Sequence, residues 1–176
     1  YGNKNSPKAD FGASDVWGKV GVSFEGSGFT TDGFPQVIEN ERGRVDTLAT
    51  VDYHNFALKV DYSPTPRVSV FGRTGYFHEE RDNAKITTIG PPTPEANDTT
   101  WKTVNGGIRA TLQDTSDLQA RVFIDRETFH SNFMAVAAGP PPASTPRFVG
   151  RMTLLQEVPT DGEGVLGQWS KTIASR

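Results

Sequence analysis

The chain has no cysteine, so neither a disulfide framework nor a thiolate metal site is available to it. Apolar material is scarce as well: hydrophobic residues are 35% of 176 positions, and mean hydropathy is -0.50. No run approaches the roughly 18 consecutive apolar residues that a spanning helix needs, which excludes a helical membrane protein but not a barrel, whose strands alternate. A dominant charge is also missing. The 18 basic and 21 acidic residues are spread along the sequence for a net charge of -3. Without a basic stripe to neutralise phosphates, no nucleic acid partner is expected. The chain opens at Tyr1 with no methionine, charged leader or apolar h-region, and so reads as a mature product or an excised piece.

What is present is turn chemistry and alternation. Glycine (18) and proline (12) are frequent, which favours many strands over many helices. Period-two alternation marks about seven strand candidates, at 14–29, 47–62, 67–79, 101–112, 117–130, 147–158 and 164–173. Three connections are short: 63–66 (SPTP), 113–116 (QDTS) and 159–163 (PTDGE). Three are long, about 15 to 20 residues, where loops in compact domains seldom exceed about 12 to 15. They contain TTDGFPQVIENERGR, ERDNAKITTIGPPTPEANDTT and SNFMAVAAGPPPASTP. Long and short alternate in order, so an up-and-down meander gathers the long connections at one end and the short ones at the other. Outer-membrane barrels are laid out this way.

The two faces of each strand differ in chemistry. Val16, Gly18, Val20, Val22 and Phe24 share one parity; Val104, Gly106, Ile108, Ala110 and Leu112 share another; so do Leu118, Ala120, Val122 and Ile124, with Phe123 as an exception. An arginine or lysine facing lipid near the bilayer midplane costs about 2 to 4 kcal/mol. Arg73, Arg109, Arg121 and Arg151 all lie on the polar parity, whereas Lys102, Arg126 and Lys171 lie on the apolar one and are expected near the long connections. Gly18, Gly72, Gly106, Gly150 and Gly167 on the apolar parity would leave voids in a packed core, but lipid chains fill such gaps. Tyr62, Tyr76, Phe77 and Trp101 at strand ends suit an interfacial girdle. At Tyr53, His54 and Asn55 the parity of Ala49 and Val51 fails to continue, which implies a bulge or a switch from barrel wall to an extension above the bilayer. The alternative that the alternation leaves open is a soluble β-sandwich binding module, for carbohydrate or protein, with its apolar faces turned together.

Seven strands do not close an outer-membrane barrel, for which eight is the minimum in a single chain. Tyr1 to Asn3 reads as the tail of a further strand before NSPKADFGASD. The expected fold is therefore all-β, an antiparallel up-and-down meander of about seven to eight strands. Residues 1–176 would form a single partial segment of a larger transmembrane β-barrel, because open edges in hydrocarbon leave backbone groups unsatisfied.

Catalytic and metal chemistry is thin. His54, His78 and His130 fall on different strands or strand ends, and only FHEERD at 77–82 sets a histidine, His78, beside carboxylates, Glu79 and Glu80, a set of ligand types able to bind a divalent metal, although an exposed charge cluster at a loop base is the commoner case. An enzyme built on His78, Glu79 and Glu80, or on His130 and Ser131, is the rival to a binding role, but neighbours in sequence are not a triad. GSGFTTDG from Gly26 does not join a strand to a helix as a phosphate loop does, and the Asn97-Asp98-Thr99 sequon is a formal match. No catalytic residue, cofactor or metal is expected. Arg73, Arg109, Arg121, Asp125, Glu127 and Arg151 would line a lumen, as ion-pair ladders against a plug or as a polar ligand path, with Trp101 and the long loops toward a ligand.

The succession TDGFP, ENERG, VDYSPTPRVSVFGRTGYFHEERDNAK, EANDTTWKTVNGGIRATL, SDLQARVF, FHSNFMAV and RMTLLQEVP resembles barrel segments of TonB-dependent outer-membrane receptors, in particular large ones with an N-terminal carboxypeptidase-regulatory-like domain. The likeness runs from about Asp15 to Ile173, and DYSP at 61–64 resembles a short periplasmic turn. The resemblance implies a Gram-negative outer membrane and a barrel of about 22 strands around a plug. It also implies import of a scarce small-molecule ligand, driven indirectly by the TonB complex. Neither plug nor TonB box is recognisable in these residues, so the partners implied are outer-membrane lipid and the remainder of the barrel and plug.

Overall fold

The computed structural model describes residues 2–141 and 145–171. They form one seven-stranded antiparallel sheet in strict chain order. Its strands are β1 (Lys8–Trp17), β2 (Val20–Phe34), β3 (Asp46–Thr65), β4 (Val68–Ile86), β5 (Pro94–Thr111), β6 (Asp117–Ala137) and β7 (Val149–Ser170), with one 3₁₀ turn at Glu39–Glu41. The all-β meander is therefore as expected. β1 and β7 are its two edges, the sheet is not closed into a barrel, and among the described residues no second sheet lies against it. Tyr1, expected in a further strand, and Thr172 and Ile173, expected at the end of the last one, lie outside the described residues.

The strand count is right for reasons the sequence pattern misjudged at both ends. The expected strand 14–29 is a hairpin. Trp17 pairs with Val20 across a two-residue loop, and Gly18 takes φ +62°, the positive first position that a type II′ turn requires. The segment KADFGASDVW, read mostly as a connection, is β1. The reversal at Gly18 also moves Val16 off the face of Val20 and puts Trp17 there instead. At the other end, the described parts of the expected strands 147–158 and 164–173 belong to one strand, Val149–Ser170. PTDGE is no turn: Thr160 pairs with Glu127 and Gly162 with Asp125. Two conditions override its turn propensity. β7 is an edge strand, where Pro159 can lack an N–H without breaking a ladder, and the Phe123 ring lies over Gly164 where a side chain would be. Because β7 runs straight through, Lys171 sits at the short-turn end, not near the long connections as expected. There it donates to Asp114 at 2.9 Å.

The remaining irregularities are displaced too. No bulge occurs at Tyr53, His54 and Asn55, since β2 and β3 stay in register from Val20↔Tyr62 to Thr31↔Val51. The shifts fall instead between Asp46 and Ala49 and between Tyr62 and Thr65. What changes near His54 is chemistry along an unbroken strand. Long and short connections do alternate: 18–19, 66–67 and 112–116 at one end, 35–45, 87–93 and 138–148 at the other.

At the short-turn end, Ser116 is fully buried and its hydroxyl donates to Asp114 at 2.6 Å. This bond and then Lys171 hold the Asp114 carboxyl far below the usual carboxylate range. A folded-state value below the unfolded one means that the turn is stabilised above the ordinary carboxylate pKa of about 3.9 and loses that support as pH falls through the folded value. Hydrogen exchange at the Ser116 amide is expected to stay slow down to strongly acidic pH and then accelerate. Asp114→Asn should make it fast at every pH.

Packing is confined to the long-connection end. Val45, Ala49, Ala84 and Met134 are the buried apolar side chains among the described residues. The Val45 amide donates to the Arg147 carbonyl at 3.2 Å, Ile86 N to Val45 O at 2.8 Å, and Thr88 N to Gly150 O at 3.0 Å. These bonds tie the chain before β3 and before β7 to the tip of the β4–β5 hairpin. Arg147 clamps the nearly enclosed Asp46 carboxylate, Nη2 to Oδ1, at 2.6 Å, and a side chain on Gly43 would collide with the Pro146 and Arg147 carbonyl oxygens.

Candidate functional site

Register fixes which residues share a face. On one, continuous rows cross the sheet, such as Val22, Val60, Gly72, Gly106, Val122 and Val165, and Phe24, Leu58, Thr74, Val104 and Ile124. These apolar side chains are exposed, Val165 to 81% and Val122 to 53%. The band they form occupies the short-turn half. Trp17, Tyr62 and Trp169 lie along its lower edge and Phe11, Phe56 and Tyr76 along its upper edge. Tyr62 and Tyr76 were read from sequence as girdle residues; Trp17 and Trp169 were missed because their strands were misassigned. Phe77 and Trp101 pair with each other on the opposite face, so they are not part of this border.

The opposite, polar face brings together most of the expected lumen residues. Arg73, Trp101, Arg109, Arg121, Asp125 and Glu127 all fall on it, through the pairs Arg73↔Asn105 and Trp101↔Glu127, Thr103↔Asp125, Gly107↔Arg121 and Arg109↔Gln119. Arg73 meets Glu25 at 2.8 Å and Arg109 meets Asp117 at 3.1 Å. Arg121 lies 5.9 Å from the centroid of Phe71, and Lys59 lies 5.8 Å from that ring. Among the described residues, Arg121, Asp125, Glu127 and Arg151 form no ion pair within the chain. Arg151 is the outlier in position. It pairs with Ala135 beyond the irregularity at Phe133 and Met134, close to the long connections. An open depression of about 230 Å³ is lined by Glu25, Asn55, Arg73, Phe77, Trp101 and Thr103 among others, an aromatic floor beside a guanidinium–carboxylate pair.

Register separates some of these sequence neighbours and keeps others together: His78 stays with Glu80, Nε2 to Oε1 at 3.4 Å. Ser131 is buried on the polar face and accepts from Gln156 at 3.0 Å, whereas the neighbouring His130 lies on the band face between Asp98 and Glu157. Glu79 binds Arg81 at 2.8 Å on the polar face, away from His78. The histidines, scattered in sequence, are close in space: the rings of His54 and His78 are 5.4 Å apart, and His130 shares Asp98 with His78. They stand on the band face, above the apolar rows. Comparison with family models, with curated proteins and with solved structures found no match to this chain.

Proposed function

We propose that the chain is a wall-and-loop segment of an outer-membrane TonB-dependent receptor, taking part in ligand uptake and not in catalysis. The observation that carries this is the uncovered apolar band on one face, opposed by a polar face with open charges. A soluble sheet needs a second layer over such a face; a barrel wall needs lipid. Two further features support the barrel. Strands of 19 to 22 residues, such as β4 and β7, are about twice the 9 to 11 that cross a bilayer, so their upper halves would stand above it. The band also runs oblique to the hydrogen-bonded rows. One row reads Phe56, Tyr76, Lys102, Arg126 and Asp161: apolar on β3 and β4, charged on β5 to β7. A horizontal lipid belt crosses tilted strands in this way, since closure of a barrel requires a tilt of about 35–45°. Positions Gly72 and Gly167 face open space, as a surface filled by acyl chains would.

On this reading the remainder of the barrel pairs with the edges β1 and β7, the depression at Arg73 and Trp101 opens to the lumen, and a small-molecule ligand passes the polar face. The TonB-dependent identity rests on the sequence resemblance given above. Phase partitioning tests the membrane assignment: the expressed chain is expected in the detergent-rich phase. Recovery as a monodisperse monomer in plain buffer would overturn it in favour of a soluble binding module.

A further inference from the structure

We infer that His78, Glu80 and Asp98 form a binding site for a divalent transition-metal ion, with zinc as the reference ion. His78 on β4 and Asp98 on β5 are brought together by the β4–β5 ladder, which pairs Glu80 with Asp98 directly. His78 Nε2 lies 3.4 Å from Glu80 Oε1 and 3.8 Å from Asp98 Oδ2, and one donor atom from each residue falls within 4.8 Å of the others. Metal–ligand bonds of about 2.0–2.2 Å in tetrahedral array put neighbouring donors roughly 3.3–3.6 Å apart, so the three atoms need only small side-chain rotations to converge.

Two features outside the three donors point the same way. His78 Nδ1 is 3.0 Å from Thr100 Oγ1. A metal-binding imidazole commonly donates its second N–H to such a partner, which leaves Nε2 as a lone pair aimed at the ion. His78 Nε2 is the ring nitrogen that faces the two carboxylate oxygens. A second histidine flanks Asp98: its other oxygen lies 3.6 Å from His130 Nδ1, and His130 Nε2 lies 3.4 Å from Glu157. The row Asp52, Glu80, Asp98, His130 and Glu157 runs across five strands without a lysine or arginine. Like charges directly opposite one another destabilise a sheet, and a bound cation between Glu80 and Asp98 removes that repulsion. An open depression lined in part by Glu80, Asp98 and His130 leaves room for a fourth ligand. Imidazole in the donor set favours zinc, nickel or copper over magnesium or calcium.

Competition for Zn²⁺ between the folded full chain and a chromophoric chelator tests the site. One equivalent should bind. His78→Ala or Asp98→Asn should each weaken binding by about a hundredfold or more, and His130→Ala, acting through Asp98, by about tenfold, the low end of the 10–100-fold typical of orienting partners. Glu79→Gln, on the other face, should change nothing, which controls for charge and folding. Absence of uptake by the folded chain, uptake undiminished in a His78→Ala/Asp98→Asn double variant, or full displacement of Zn²⁺ by equimolar Mg²⁺ would each overturn the assignment.

Discussion

Arginine in place of Val122 is expected to keep the chain out of lipid, whereas arginine in place of Gln168 or Thr128 leaves insertion close to wild type. Val122 occupies the central row of the band, between Gly106 and Val165, where a guanidinium facing hydrocarbon costs about 2 to 4 kcal/mol. At about 1.4 kcal/mol per decade, even the lower figure reduces the inserted population roughly 30-fold. Gln168 lies on the polar face opposite the uncharged Gln119, and Thr128 lies on the band face above the apolar rows, beside Thr100 and Pro159. The three substitutions therefore introduce the same charge at three positions of distinct environment. Were the band solvent-exposed, Val122→Arg would be a surface change worth no more than about 0.5 kcal/mol. Folding into lipid vesicles, followed by urea titration, separates the outcomes, and equal behaviour of all three variants would sink the lipid-facing assignment.

The contrast between interior and edge strands explains what the sequence disclosed about this band. On β5 and β6 the alternation holds from Thr103 to Thr111 and from Leu118 to Val122, both neighbours enforce register, and face assignment by parity holds throughout, Phe123 being an aromatic on the polar face. At the edges one neighbour is missing and local propensity misleads. Gly18 looked like a small residue in a wall because a two-residue turn inside an alternating run preserves the rhythm of the pattern while reversing the chain. Pro159, Asp161 and Gly162 looked like a turn because nothing local reports that Phe123, on the next strand, covers Gly164. The two errors, one strand split and one pair fused, left the total unchanged.

The sites divide along the same line. The polar-face residues were legible because each charge could be assigned a face from its own strand alone. The histidine cluster was not, since His54, His78 and His130 are separated by whole hairpins and meet only through register. A signal existed: His54 and His78 are equidistant from Pro66, and Asp98 and His130 from Asp114, so reflection about the turns superposes them once the register shift between Tyr62 and Thr65 is included. Turn positions accurate to one residue are needed for that reflection, because a one-residue slip moves every side chain to the other face. SPTP, read as the connection at 63–66, belongs to β3 up to Thr65, an offset sufficient to hide the pair.

Asp46→Asn is expected to open the long-connection end while leaving the sheet below intact. The Asp46 carboxylate is 4% exposed and accepts two bonds from Arg147 Nε, each 2.8 Å, and one from the Gly43 amide at 2.8 Å. Burial alone would raise its pKa; the Arg147 hydrogen bonds and the Gly43 N–H outweigh that and hold it below the usual carboxylate range. A charge-assisted hydrogen bond contributes about 1.5–3 kcal/mol, a large share for a region whose packed core is so small. Arg147 also stands at φ +49°, a left-handed conformation that costs a residue with a side chain about 1–2 kcal/mol and persists only where its surroundings impose it. Arg147→Gly releases that strain but leaves the enclosed Asp46 carboxylate without its cation, a loss of about 3–5 kcal/mol for a buried charge, so it should destabilise more than Asp46→Asn, which leaves only the better exposed guanidinium unpaired. Hydrogen exchange at the Val45, Ile86 and Gly150 amides reads the difference, with Val122 and Gly106 as unaffected references. Acid has the same effect as Asp46→Asn: a carboxylate with a lowered folded-state pKa stabilises fully above about 3.9 and loses its contribution as pH falls through the folded value. The three amides should therefore lose protection together in strong acid, and in the Asp46→Asn variant they should already exchange fast at neutral pH. Loss of protection spreading into β5 and β6 would show that the connections and the wall unfold as one unit, contrary to a loop end packed independently of the strands beneath it.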